Sequence, residues 1–295
     1  MILVAGATGL LGSEICRRLR ARDERVRGLV RNSSASEKVA DLEKHGVEIV
    51  RGDLKDRGSL DAACAGAEVV ISTVTIIGSA QPGDSFDVTD GAGTIALIDA
   101  AKQAAVRQFV FVSFDTGSVP DAPLVTAKKN VEEHLKRSGL EYTILHPGYF
   151  MELWLGPRLF ADPAAGTARV YGSGTHPLSY VAANDVAEVA VRCVRNPEAR
   201  NRTIVVAGDR ISQRDAIAAF EKAFGKPFTV TEISEAALEA QYNGAPDPFS
   251  KTFGALTLGV ARGGLRAAEC PSGLRPDKWT SAREHIADRA RSVNP

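Results

Sequence analysis

Short apolar runs alternate with amphipathic stretches through the first half of the chain. The runs are ILVA (2–5), RVRGLVR (25–31), VEIVRGD (47–53), EVVISTV (68–74), QFVFVSF (108–114) and EYTILHP (141–147). Runs of this length suit strands buried on both faces, as in a parallel sheet. Between them lie segments of helical period. GSEICRRLRAR (12–22) sets Ile15 and Leu19 four apart with arginines on the other face, and LDAACAG (60–66), GTIALIDAAKQA (93–104) and residues 126–138 follow. The alternation predicts βαβ units, and six strands by residue 147 predict an α/β fold with a doubly wound parallel sheet of Rossmann type.

Past Pro147 the rhythm breaks into Gly- and Pro-rich loops around short strands. A helix is predicted over 184–199, capped by Asn184 or Asp185, then a strand in RTIVVAG and a helix over 212–226 stopped by Gly225. The last seventy or so residues read as irregular or helical. No repeat, low-complexity tract or flexible linker interrupts the chain.

Composition changes this picture little. The 295 residues are 44% hydrophobic and 24% charged, with 36 Lys plus Arg against 36 Asp plus Glu. A zero formal charge argues against nucleic acid as an obligatory partner. No apolar run approaches the ~20 residues that span a bilayer, and MILVA is too short for a signal peptide. Cys16, Cys64, Cys193 and Cys270 form no C-x-x-C pair, so no metal site is expected. Cys16 and Cys193 read as small buried hydrophobes. These features point to a cytoplasmic protein without a membrane partner, and a monomer or homodimer is expected.

Candidate chemistry begins between the first strand and the first helix, where ILVAGATGLLGSEICRRL places Gly6, Gly9 and Gly12. Gly6 allows a tight turn, Gly9 clears an approach for a pyrophosphate, and Gly12 lets helix and strand pack closely. Amides near Thr8, Leu10 and Leu11 then face the phosphates from the positive end of the helix. A Gly-rich turn without ligand is the plainer alternative. After the second strand, NAD binders carry an acid for the ribose 2′-hydroxyl. Here Arg31, Asn32 and Ser33 follow instead, with no carboxylate before Glu37. A guanidinium beside hydroxyls suits a 2′-phosphate, so NADP (NADPH) is the expected cofactor. Asp53, next to Leu54, either receives the adenine amino group or caps the next helix.

LVTAKKNVEEHLKRSGLEY (124–142) sets Lys128 and Lys129 near a helix start, where the helix dipole disfavours cations. Lys128, Val131 and Leu135 share the apolar face at i, i+3, i+7, whereas Lys129 is turned ~100° away. Lys128 therefore points toward the sheet and needs anionic or hydroxyl partners, such as a nicotinamide ribose, unless its ammonium snorkels to water.

Taken together, GATGLLG, VRGLVR, VRGDLKD, FVFVSF, AKKNVEEHLKRSGLEYTILHPGYFME and YVAANDVAEVA resemble the atypical short-chain dehydrogenase/reductases, in particular the NmrA-like and isoflavone-reductase-like branch. The resemblance is specific to about residue 195 and thin beyond about 230. It implies an NADP-binding Rossmann domain over 1–147, with 184–210 returning to it, and a mainly substrate-binding lobe over 148–295. It also implies that Lys128 contacts the nicotinamide ribose and assists proton transfer as the catalytic residue. Thr73, Val74 and Thr75 are expected to line the cofactor cleft, though Thr75 can equally satisfy a loop amide. Pro147, Gly148 and Phe150 resemble the family's nicotinamide contacts, and Ser113 its strand-end hydroxyl.

Two departures stand out. Short-chain reductases generally carry Tyr-x-x-x-Lys, but Leu124 stands four residues before Lys128. His146 replaces the arginine that usually precedes the proline, as an acid/base candidate or a hydrogen-bonded structural histidine. Tyr149 and Trp154, with Phe160, Tyr171 and His176, either flank a planar substrate or form the lobe's own core. The resemblance implies an NADPH-dependent reductase of a small apolar or aromatic carbonyl, enone or quinone-type compound. The alternative is a non-catalytic NADP(H)-sensing protein of NmrA type.

Overall fold

A computed structural model describes residues 1–117, 119–263 and 270–293. Residues 264–269 and 294–295, within the expected lobe, lie outside the described residues. The chain runs β1 (Ile2–Ala5), α1 (Leu10–Arg20), β2 (Val26–Val30), α2 (Ser36–Lys44), β3 (Glu48–Arg51), α3 (Arg57–Cys64) and β4 (Val69–Ser72). A π-helical segment (Phe86–Gly93) leads into α4 (Thr94–Gln103), β5 (Gln108–Val112), α5 (Pro123–Arg137) and β6 (Glu141–Pro147). Next come β7 (Tyr149–Phe150), α6 (Met151–Trp154), β8 (Ala161–Asp162), β9 (Thr167–Tyr171), β10 (Pro177–Val181), α7 (Ala183–Arg192) and β11 (Arg202–Val206). The chain continues through β12 (Asp209–Ser212), α8 (Gln213–Phe224), β13 (Thr229–Ile233), α9 (Glu235–Asn243), α10 (Pro248–Arg262) and α11 (Ala282–Val293).

The central sheet has seven parallel strands in the order β3-β2-β1-β4-β5-β6-β11. The period-2 alternation of a strand decides which residue faces which helix layer. Ile2, Val4, Val69, Ile71 and Val110 pack with Ile15 and Leu19 of α1 and Val186 of α7. Their neighbours Leu3, Ala5, Val70 and Phe109 pack with Leu60 of α3, Leu97 of α4 and Val131 of α5. Burial on both faces explains why these strands read as continuous apolar runs. From β1 the chain steps outward to β2 and β3, then returns to β4 on the other side of β1. The reversal opens a crevice at the C-terminal ends of β1 and β4, the place where open α/β sheets bind ligands.

The remaining strands form two small sheets, β12-β10-β7 and β13-β9-β8. Their core includes Tyr149, Trp154, Phe160, Tyr171, Tyr180 and Phe220. Residues 183–206 leave this lobe and supply α7 and β11 to the central sheet, where Val206 pairs with Pro147.

Three local expectations are corrected. The helix expected over 126–138 begins at Pro123, which sits where its missing N–H costs nothing. Lys128 thus lies in the second turn, beyond the strongest part of the dipole's field. The helix expected over 184–199 ends at Arg192. Its N-cap is Ala182, with neither Asn184 nor Asp185 as cap, and Asp185 instead accepts from the Thr280 N–H and hydroxyl at 2.8 and 3.1 Å.

Candidate functional site

The glycine turn at the crevice is built by close approach. Gly6 has φ +81°, and a Cβ there would lie 2.6 Å from Thr73 Oγ1. A Cβ on Gly12 would lie 2.1 Å from Gly6 O, so α1 rests directly on the turn. Gly9 is the N-cap of α1, with no side-chain cap and no acid in the first turn. Ser13 N–H donates to Gly9 O at 3.0 Å, and helical geometry leaves the amides of Leu10 to Gly12 without an intrahelical acceptor. Leu10 is 59% exposed, Thr8 half-buried and Leu11 buried. An uncapped helix start, small residues and an uncovered apolar side chain suit a diphosphate with its attached ribose. Thr73 spans from β4 to β1, its hydroxyl donating to Ala5 O at 3.2 Å.

Toward β2 the crevice is cationic. Arg31 follows β2 directly, with Asn32 and Ser33 exposed beyond it. Its guanidinium is already engaged, donating to Asp84 Oδ2 at 2.9 Å and Ser79 O at 2.8 Å. Lys55 Nζ donates to the other Asp84 oxygen at 2.6 Å, joined by the Thr89 hydroxyl at 3.0 Å. Burial alone would raise the Asp84 carboxyl. The Lys55 ammonium, the Gln81 amide and the Thr89 hydroxyl outweigh it and hold the group below the usual carboxylate range. Neither Asp84 nor Lys55 is signalled by local sequence. Asp53 accepts from its own turn, Lys55 N–H at 2.9 Å, and the cap of α3 is Asp56. Leu54 is buried against Gly93.

Lys128 is 4% exposed and reaches the loop after β4. Its Nζ donates to Val74 O at 2.8 Å, lies 3.4 Å from Asp90 Oδ1, and stands over the Phe111 ring at 5.0 Å. The inward lysine therefore has a protein carboxylate as partner, and it does not snorkel. Burial is the larger influence and lowers its pKa, with Asp90 and then Glu132 opposing. Lys129 is exposed, 3.4 Å from Asp121 Oδ1. Leu124 packs with Ile76 and Phe86 in an apolar cluster. Thr75 spends its hydroxyl on the Ile77 amide at 3.3 Å.

One turn after Lys128, Glu132 gathers two strand ends. Its Oε1 accepts from the Ser113 hydroxyl at 2.6 Å and meets His146 Nε2 at 2.8 Å. Burial would raise the Glu132 carboxyl, but the bond and charge of His146 with the Ser113 hydroxyl hold it low. The Ser113 hydroxyl is thus spent on a buried carboxylate and not on backbone, and His146 is hydrogen-bonded. Pro147 ends β6, and Gly148 passes so close to β10 that a Cβ would lie 2.4 Å from Ser179 O. Phe150 follows, half-buried and paired with Val181.

The aromatics divide differently from the order of sequence. Tyr149 and Trp154 pack edge to face at 5.0 Å within the lobe core, 5% and 9% exposed. Tyr171 is anchored there by donating to Leu159 O at 2.6 Å. The rings beside Leu124 are instead Phe86 and the half-buried Phe114, with Phe249 stacked on Phe86 at 6.0 Å.

A separate depression of about 500 Å³ lies at the opposite edge of the sheet, beside the end of α1. Its arginines are paired, Arg195 with Glu24 and Glu68, Arg192 with Glu188 and Asp277. Among the described residues no His/Cys/Asp/Glu cluster suits a metal ion, and no helix is long and apolar enough to cross a membrane.

Residues 1–257 match the model of the NmrA-like family. An NAD(P)H azoreductase from Xenophilus azovorans is 30% identical, over 79% of this chain and 77% of its own. A photosystem II assembly factor, Ycf39, from Cyanophora paradoxa is 34% identical, over 82% of this chain and 74% of its own. The structure of leucoanthocyanidin reductase with NADPH from Vitis vinifera superposes with a TM-score of 0.82 at 18% identity, covering 98% of this chain and 99% of that one. With the glycine turn, the seven-stranded sheet and the buried lysine, the match leaves one assignment: the chain belongs to the NmrA-like family, in the atypical short-chain dehydrogenase/reductase branch.

Proposed function

We propose that this protein is an NADPH-dependent reductase of a small apolar or aromatic carbonyl, enone or quinone-type compound. The observation that carries the reading is the Lys128 ammonium, buried at the crevice and 2.8 Å from Val74 O. The glycine turn would hold the diphosphate, Arg31 with Asn32 and Ser33 the 2′-phosphate, and Asp53 with Leu54 the adenosine side. Thr73 to Thr75, Ser113 and Pro147 to Phe150 would border the nicotinamide end. The NAD(P)H azoreductase relative supports a nicotinamide cofactor, and the NADPH-bound reductase structure favours the phosphorylated form.

NADPH, when bound, supplies a hydride, and a reduced carbonyl then needs one proton at oxygen. Leu124 has none to give. Lys128 holds a proton at Nζ and is the group placed to pass it, directly or through a water, while orienting the ribose hydroxyls. Burial eases the transfer because it disfavours the charged ammonium. The partly exposed rings of Phe114, beside Leu124, and of Phe249, stacked on the buried Phe86, would favour a planar substrate over a sugar. The four cysteines are free and buried, which suits a reducing compartment such as the cytoplasm.

A second reading, a non-catalytic NADP(H) sensor, is favoured by Leu124 and by the assembly-factor relative. The test is an NADPH titration followed by loss of nicotinamide absorbance with a panel of quinones, enones and ketones. Turnover abolished by Lys128→Met with binding retained is expected. Tight binding without turnover on every compound would make the protein a sensor.

A further inference from the structure

We infer that Asp90 is a positioning residue for Lys128, its buried carboxylate keeping the ammonium in place and in its protonated form. The inference rests on the proposed role of Lys128 as proton donor.

Asp90 is fully buried, and its two oxygens face different tasks. Oδ2 accepts the Ile76 N–H at 3.1 Å, which fixes the carboxylate to the loop after β4. Oδ1 has no hydrogen-bond partner among the described residues, yet stands 3.4 Å from Lys128 Nζ. This is an ion pair at the long end of hydrogen-bond distance. The ammonium donates instead to Val74 O, leaving it hydrogens to direct elsewhere.

The backbone is shaped to bring this acid in. Asp90 lies in the π-helical segment, a widened helix common at functional sites. Gly93 lets the segment press against its neighbours, since a Cβ there would sit 2.8 Å from Leu54 Cβ, and Gly91 lies along Ala127 of α5 at ordinary contact distance. Asp90 is thereby set against α5 beside the lysine.

The surroundings make its charge decisive. From β5 the lysine meets the Phe111 ring, from the loop after β4 a carbonyl, and from its own helix Glu132. Glu132 is committed to Ser113 and His146. Asp90 is therefore the carboxylate closest to hand for balancing a buried ammonium, and removing one member of such a pair strands the other.

The test is the pH dependence of kcat/KM for Asp90→Asn, which keeps the shape and an acceptor for Ile76 but removes the charge. With Lys128 as acid, the rate falls as pH rises through its pKa. In Asp90→Asn that alkaline fall should move to lower pH by about one unit or more, and the rate should recover on acidification. A merely structural defect would lower the rate at every pH. An unmoved alkaline fall, with Lys128→Met inactive, would overturn the role of Asp90. An active Lys128→Met would overturn the donor reading instead. Should Asp90→Asn fail to fold, the double variant with Lys128→Met should fold, since no charge is stranded; equal instability of the two would refute the pairing.

Discussion

The Arg31 guanidinium donates to the Asp84 carboxylate at 2.9 Å, across 53 residues of sequence. A carboxylate therefore shares the cation proposed for the 2′-phosphate. Arg31→Ala should weaken NADPH by about 1.5–3 kcal/mol, the worth of hydrogen bonds to a charged group, with little effect on NADH. Asp84→Asn should raise the preference for NADPH over NADH about tenfold, equivalent to ~1.4 kcal/mol. Calorimetric titration with both coenzymes measures the ratio. A ratio that stays put, or moves toward NADH, would show that the carboxylate does not compete.

Gly12 offers a sharper steric trial. A methyl group there would meet Gly6 O at 2.1 Å, a contact that neither backbone can accept unmoved. Gly12→Ala should destabilise the fold by about 1–3 kcal/mol, as overpacking does, and abolish detectable dinucleotide binding. A variant with unchanged melting temperature and unchanged affinity would mean that the turn does not form the cradle.

Glu132 links stability to pH. Its carboxyl is held below the usual value by His146 and Ser113, despite burial. The stabilisation should be fully present above the unfolded carboxylate pKa of about 4.3 and fade as pH falls through the lower folded value. Glu132→Gln should cost about 2–3 kcal/mol near neutrality, and the gap from the native protein should close in acid. Denaturant titrations across pH would show it, and a gap that widens in acid would contradict the assignment.

What could be read from sequence follows physical range. The glycine turn is legible because its three residues act on one another within seven positions. The direction of Lys128 is legible because Val131 and Leu135, on its face, are both fully buried. Asp90 is not, since a π-helical segment breaks the 3.6-residue period on which face assignment depends. The Asp84 cluster is not legible either: Arg31, Lys55 and Asp84 meet from three separate loops. Sequence leaves Tyr149 and Trp154 as pocket or core alike; the structure packs them against one another and Tyr149 against Tyr180, contacts that no local pattern signals.

Near Gly148, Ala182 and Gly208 the chain crosses between the central sheet and the lobe. Gly148 N–H bonds Val206 O at 2.9 Å and Gly208 N–H bonds Tyr180 O at 3.1 Å, so the crossings are stitched side by side. Adjacent tethers resist the swinging that a single hinge permits. Shape changes around a bound molecule should then be confined to side chains and surface loops, and small-angle scattering should give the same radius of gyration with and without coenzyme.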